Sequence, residues 1–369
     1  MECSHFGVCG SCRLYEGGYE AQLERKLKQN KERFAPFFKG EIELFRSKES
    51  HYRSRAEFRI WHEGEEISYA MTSMEKKPLP ILECPQVRES IAELMPKLLE
   101  KLYDPKLKEK LFGCDFLSGA NGDMVVSLLY HRRLDEAWEA KAREIADELG
   151  ISIVGRSRKQ KIVIGKEYVI EVLHVDNREF LYKHIENSFT QPNAGVNEKM
   201  IAWAIDEKEP KGDLLELYCG AGNFTIPFAT RYEKVLATEI SKASIAAAKE
   251  NMRLNEVENI EFVRMSAEEF TQALDRVRTF NRMKHIDLDA YNFSTIFVDP
   301  PRAGMDAKSC DFSARFENII YISCNPETLF RDLQHLRKTH KVEKMALFDQ
   351  FPYTHHVEMG VKLRRKERA

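Results

Sequence analysis

The chain has 369 residues, 43% of them hydrophobic and 31% charged, which is ordinary for a soluble globular protein with room for two cores. A formal charge of −2 excludes a uniformly basic nucleic-acid binder, so any surface for nucleic acid must be a local patch. No apolar run approaches the ~20 residues of a membrane span, and the start lacks the basic and apolar regions of a signal peptide. The chain therefore reads as cytoplasmic, with no membrane contact and no obligatory protein partner evident. Its 8 cysteines should stay reduced there unless they bind metal or do chemistry.

The first 17 residues are rich in Gly and Cys and too short to fold without a staple. Helical spacing covers residues 19–35. Arg55-Ala-Glu-Phe-Arg-Ile-Trp61 alternates as a half-buried strand, with Ala56, Phe58 and Ile60 on one face. Helices are predicted at 88–103 and at 134–149, the second stopped by Gly150, and strands at Met124–Tyr130 and Ile151–Val154. This mixture predicts an α+β domain over 18–185, behind a cysteine-bearing lead of 1–17.

From residue 186 the rhythm changes. Leu214–Tyr218, Val235–Glu239, Ile260–Val263, Thr295–Val298 and Ile319–Ser323 are apolar strands separated by helical stretches. That alternation predicts a doubly wound α/β domain over 186–369, whose ligands sit at the carboxyl ends of the strands. Basic clusters are spread over both halves: Lys26, Lys28, Lys31 and Arg33; Arg53, Arg55 and Arg59; Arg132 and Arg133; Arg156, Arg158, Lys159 and Lys161; and Arg364, Arg365 and Lys366. Each alone is more often a solvated face than a binding site.

Cys219-Gly-Ala-Gly-Asn-Phe224 directly follows the first α/β strand. Gly220 and Gly222 let the backbone turn tightly beside a ligand, and Glu239, ending the next strand, can accept from both hydroxyls of a ribose. NAD and S-adenosylmethionine (SAM) would both suit these features. The loop reads Gly220-x-Gly222-x-x-Thr225 and lacks the third glycine of the dinucleotide fingerprint, which favours SAM.

Two further motifs end later strands, Asp299-Pro-Pro-Arg302 and Ser323-Cys-Asn-Pro326. A lone Cys on an apolar strand is usually a small buried hydrophobe. Cys324 sits instead at the strand's end, two residues before a Pro, as a reactive thiol would. Methylation of uracil at carbon 5 needs such a group, because a thiolate added at carbon 6 makes carbon 5 enolate-like and able to take a methyl group. A carboxylate such as Asp299 can accept from uracil N3–H. A base must remove the carbon-5 proton, and His355, His356 and Glu358 all qualify by position. A nicotinamide oxidoreductase leaves both later motifs unexplained. An exocyclic-amine methyltransferase needs no Cys, and a non-catalytic RNA-binding module makes every strand-end motif accidental.

Five stretches together resemble the RNA 5-methyluridine methyltransferase family, most nearly its tRNA (uracil-5-) branch: Asn187–Asn193, Leu215–Gly220, Ile296–Arg302, Tyr321–Leu329 and Leu347–His356. The resemblance implies a class I SAM-dependent methyltransferase domain preceded by an RNA-binding domain. It implies that Gln191, Tyr218, Gly220, Gly222, Asn223, Glu239 and Asp299 surround SAM, that Cys324 is the nucleophile, and that Glu358 is the base. A fully ionised Glu358 would need no tuning for that role. The implied substrate is uridine 54 of the tRNA T-loop, flipped out of the fold to reach Cys324, with the T-like loop of tmRNA as a second RNA. Cys3, Cys9, Cys12 and Cys84 depart from that branch and resemble the iron–sulfur set of the ribosomal-RNA branch. They imply a [4Fe–4S] cluster, with structural zinc as the alternative, and keep a ribosomal-RNA uridine open as the alternative substrate.

Overall fold

The computed structural model describes residues 1–206 and 212–367. After the helix Gly18–Phe34 comes a short strand, β1 (Glu43–Phe45). Then β2 (Arg55–Glu63), β3 (Glu66–Thr72), β4 (Pro78–Ile81), β5 (Leu111–Ser118), β6 (Met124–Tyr130), β7 (Ser152–Ser157) and β8 (Gln160–Ile164) form a seven-stranded sheet in the order β4-β3-β2-β5-β6-β7-β8. Its neighbours pair antiparallel except β6 and β7, which are parallel and joined by the helix Glu136–Leu149. Asp135 starts that helix by accepting from the Trp138 N–H, and Gly150 ends it at φ 64°, the left-handed cap that glycine takes without strain. This helix and Glu89–Lys101 cover one sheet face, where Trp138, Ile145, Ile91 and Leu98 pack with Phe58, Phe116 and Ile153. The alternation read in β2 holds, since Ala56, Phe58 and Ile60 are buried and Glu57 and Arg59 exposed.

A hairpin follows, β9 (Tyr168–Val175) and β10 (Arg178–Ile185), and then β11 (Asp213–Leu217), β12 (Val235–Thr238), β13 (Ile260–Val263), β14 (Phe293–Val298), β15 (Asn318–Ser323), β16 (His340–Phe348) and β17 (Glu358–Arg365). The second sheet runs β1-β16-β17-β15-β14-β11-β12-β13. It is parallel from β13 to β15, while β17 is antiparallel to both of its neighbours. All of β11 and β12 is buried, as expected of strands covered on both faces. The α/β reading of this half is therefore correct. Because β17 runs against the rest, it begins on the edge where β11, β12, β14 and β15 end.

Packing contacts cross between the stretches 18–185 and 186–369. β1 pairs with β16, and Phe34 and Ile42 share a core with Leu215, Val298 and Leu347. The hairpin contributes Leu173, Val175, Phe180 and Tyr182 to a core with Leu214 and Phe228. Lys26 is not on a solvated basic face. It is buried, with Nζ 2.6 Å from Asp349 Oδ1 and 3.0 Å from the Phe351 carbonyl, and Gln22 donates to the other Asp349 oxygen at 2.9 Å.

Candidate active site

At the end of β11 the chain turns through Tyr218 (φ 64°), Gly220 (φ 55°) and Gly222 (φ 84°). Glycine takes such angles freely, whereas Tyr218 holds a strained conformation of the kind found at functional sites. The Gly220 N–H donates to Glu239 Oε2 at 3.2 Å and the Ser241 N–H to Oε1 at 2.8 Å. Glu239 is thereby aimed from the end of β12, and each oxygen keeps a lone pair for a diol. Asn223 braces this loop: its amide pairs reciprocally with Asn197 at 2.8 and 2.9 Å, and its carbonyl accepts from the Tyr182 hydroxyl. Gln191 accepts at 2.7 Å from Gln350, on the loop between β16 and β17. Two residues not singled out from sequence flank these groups. Ile240 is 71% exposed beside Glu239, and Phe189 is 80% exposed two residues before Gln191. The available signal was position, since Ile240 directly follows Glu239 and Phe189 lies within the Asn187–Asn193 stretch.

Asp299 and Cys324 follow β14 and β15 on loops that are tied together. Asn325 and Thr328 both donate to the Arg302 carbonyl, and Arg331 donates to the carbonyls of Ala303 and Met305. Asp332 accepts from the Met305 N–H and from the Tyr321 hydroxyl at 2.7 Å. Gly304, at φ 74°, lets the loop lie on Arg331 and Asp332, where a Cβ would come within 2.7 Å of each. Asn325 caps the helix Pro326–Leu336 through the Glu327 N–H, so Cys324 is held between a strand end and a helix start.

The register Ser323↔Met359 sets Glu358, first residue of β17, beside Cys324. Burial pushes the Cys324 thiol up to about 11, and the carboxyls of Glu358 and Asp299 act in the same direction against Arg302. Burial also pushes Asp299 up to about 7. Glu358 is 5% exposed, and burial, then the Asp299 charge, hold its carboxyl well above the ordinary range. This corrects the expectation of an untuned, fully ionised Glu358. Three acids share one crevice, each made a stronger base by lack of water, and Cys324 and Glu358 also by neighbouring carboxyls. His355 and His356 are exposed.

The model of the tRNA (Uracil-5-)-methyltransferase family matches residues 18–366. The chain belongs to that family. Over 369 residues it is 62% identical to the tRNA/tmRNA (uracil-C(5))-methyltransferase of Sulfurimonas denitrificans, covering 99% of this chain and 100% of the relative. The protein of the same name from Cellvibrio japonicus is 52% identical over 351 residues, covering 94% of this chain and 96% of the relative. In fold the chain is similar to the Pyrococcus abyssi tRNA (uracil-54, C5)-methyltransferase solved with S-adenosyl-L-homocysteine, with a TM-score of 0.73, 24% identity and coverage of 97% of this chain and 86% of that one. Among the described residues no helix is long and apolar enough to cross a membrane.

The match to the tRNA (uracil-5-)-methyltransferase family begins after the cysteine lead. Cys3, Cys9, Cys12 and Cys84 do meet, lining one cavity of about 260 Å³, and all four are free thiols. Among the described residues, however, no three His, Cys, Asp or Glu side chains are set to hold a metal ion together. Gln86 donates to the Cys12 sulfur at 2.8 Å, and burial, with the neighbouring Cys84, Cys9 and Cys3, pushes that thiol up to about 12. The expected metal centre is not shown.

Proposed function

We propose that this chain transfers a methyl group from SAM to carbon 5 of a uridine in tRNA, at position 54 of the T-loop, and to the equivalent uridine of tmRNA. The observation that carries this reading is the meeting of Cys324, Asp299 and Glu358 on the strand edge that also bears the Gly220 loop and Glu239. Glu239 would hold the ribose of SAM, Ile240 would cover its base, and Gln191, Tyr218, Gly222 and Asn223 would line the remainder. SAM supplies the methyl group.

The chain's own groups do the rest. Asp299 accepts from N3–H and fixes the uracil edge. The Cys324 thiolate adds to carbon 6, and charge passes to the carbon-4 oxygen. Once carbon 5 carries the methyl group, the Glu358 carboxylate removes its proton, the carbon 6–sulfur bond breaks, and Cys324 leaves as thiolate. One proton is released per turnover. A Glu358 raised above the ordinary carboxylate range is a better acceptor for that proton than an exposed one.

The seven-stranded unit would dock the RNA. Two basic clusters that are distant in sequence, Arg132–Arg133 and Arg156–Lys159, border one depression of about 830 Å³. Phe112 stacks on His131 there with ring centroids 3.9 Å apart, an aromatic platform of the kind that splayed bases use. For the four cysteines we propose an iron–sulfur cluster of structural role, supported by the nature of the donors and their shared cavity; no catalytic step passes through it.

Incubating the protein with labelled SAM, an unmodified tRNA transcript and a ribosomal-RNA fragment tests the assignment. Label should appear at carbon 5 of uridine 54. Transfer confined to the ribosomal fragment would replace the substrate, and SAM binding without transfer to either RNA would overturn the reading.

A further inference from the structure

The cysteine lead lies against the RNA-docking unit at a point with its own chemistry. The Gly10 N–H donates to the Thr72 carbonyl at 2.9 Å, and Cys9 bridges Ser73, so the lead pairs with the chain at the end of β3. Gly10 is required there, because a Cβ would stand 2.8 Å from the Thr72 carbonyl oxygen. Between lead and sheet is a cavity of about 330 Å³ lined by Arg13, Arg59 and Lys76, with Glu57 at its rim. All three cations are exposed, and among the described residues none is in an ion pair, whereas Glu57 is already paired with Arg55. Arg13 is held over the cavity by an Nε–H bond to the Gly10 carbonyl at 3.0 Å, which leaves its terminal N–H groups free.

The cavity is not isolated. Arg59 faces Gly113, which faces Leu129, which faces Arg156 across successive strands. This rung therefore runs from the lead to the depression that carries Phe112 and Arg133, Arg158 and Lys159, which are in no ion pair among the described residues, some 15 Å away at ~4.8 Å per strand. In a chain of formal charge −2, unpaired cations gathered at both ends of one rung are the local patch that an RNA backbone needs.

We infer that Arg13, Arg59 and Lys76 form a phosphate subsite for the RNA backbone, so that the cysteine lead supplies part of the RNA-docking surface as well as a fastening. This rests on the reading of the substrate as RNA. A free acidic protein segment would ask for large apolar side chains beside the charges, and of the residues lining the cavity only Met71 is one.

Binding of an unmodified tRNA transcript is measured for wild type, Arg13→Ala, Arg13→Lys and Arg59→Ala over a series of salt concentrations. Each Ala variant should weaken binding roughly three- to tenfold and flatten the slope of log K against log salt by about 0.7–0.9, the value of one phosphate contact. Arg13→Lys should keep the slope, which separates lost charge from a loosened lead. Wild-type affinity and slope in both Ala variants would overturn the subsite while leaving the RNA reading intact. A wild-type protein that binds no tRNA would overturn the RNA reading, and the subsite with it.

Discussion

Asp299→Asn exposes the cost of keeping a carboxyl in this crevice. Burial raises the group from 3.8 to about 7, so the folded state favours the neutral form. Below about pH 4 both folded and unfolded chains hold the proton, and the stabilisation is fully present. As pH rises toward 7 the unfolded chain ionises while the folded one does not, and stability falls by ~4 kcal/mol before levelling off. The Asn variant has nothing to titrate there, and it also removes one charge that opposes ionisation of Glu358. Urea unfolding of both proteins, without RNA or SAM, from about pH 4.5 to about pH 8.5 should show the variant's advantage growing by ~3 kcal/mol. Comparing slopes with pH cancels any packing difference between Asp and Asn. Parallel curves across that window, within ~0.5 kcal/mol, would refute the reasoning. Wild-type turnover at low RNA concentration should rise with pH through about 7, because the ionised carboxylate is the stronger acceptor for N3–H.

Cys324→Ala should lose methyl transfer while equilibrium SAM binding survives; retained turnover within about tenfold, a barrier change of ~1.4 kcal/mol, would remove the covalent step. Glu358→Gln should methylate carbon 5 and then stall, leaving a protein–RNA adduct with labelled methyl on a denaturing gel, and normal turnover would place the base elsewhere. Iodoacetamide should label Cys324 about tenfold faster for each pH unit from about 7 to about 9, as expected of a thiol at about 11; a rate independent of pH would mean that the thiolate is already formed. Protein purified without oxygen should carry iron and sulfide near four per chain and lose both on Cys12→Ser, and stoichiometric zinc without iron would replace the cluster.

The parallel strands were legible because β11, β12, β14 and β15 are mostly apolar, each followed by a residue with chemistry: Tyr218, Glu239, Asp299 and Cys324. Local pattern also located the helix that ends at Gly150. What could not be read depended on residues distant in sequence. β1 is three residues long and is a strand only because β16 offers it an edge. Asn223 looks free in its loop, yet its amide is taken by Asn197. Lys26 looks like one of several basic surface residues until Asp349 buries it. The burial of Glu358 follows from β17 being inserted between β15 and β16, a register that no local window contains. Whether separate basic clusters share a surface is likewise a property of the sheet order alone.

The buried Lys26–Asp349 pair spans 323 positions of sequence, and that has a consequence for biosynthesis. At ~5–20 residues per second, the helix bearing Lys26 and the strand β1 leave the ribosome some 20–60 seconds before their partners exist. Throughout that interval an amphipathic helix, an unpaired strand and a lysine destined for burial remain exposed. Loop closure on this scale makes final docking slow. It also leaves the first 45 residues without their sheet edge until β16 arrives. Joining the two ends through a linker and opening the chain within the 120–122 turn, exposed between β5 and β6, would place helix and partner close together during synthesis and shorten that wait.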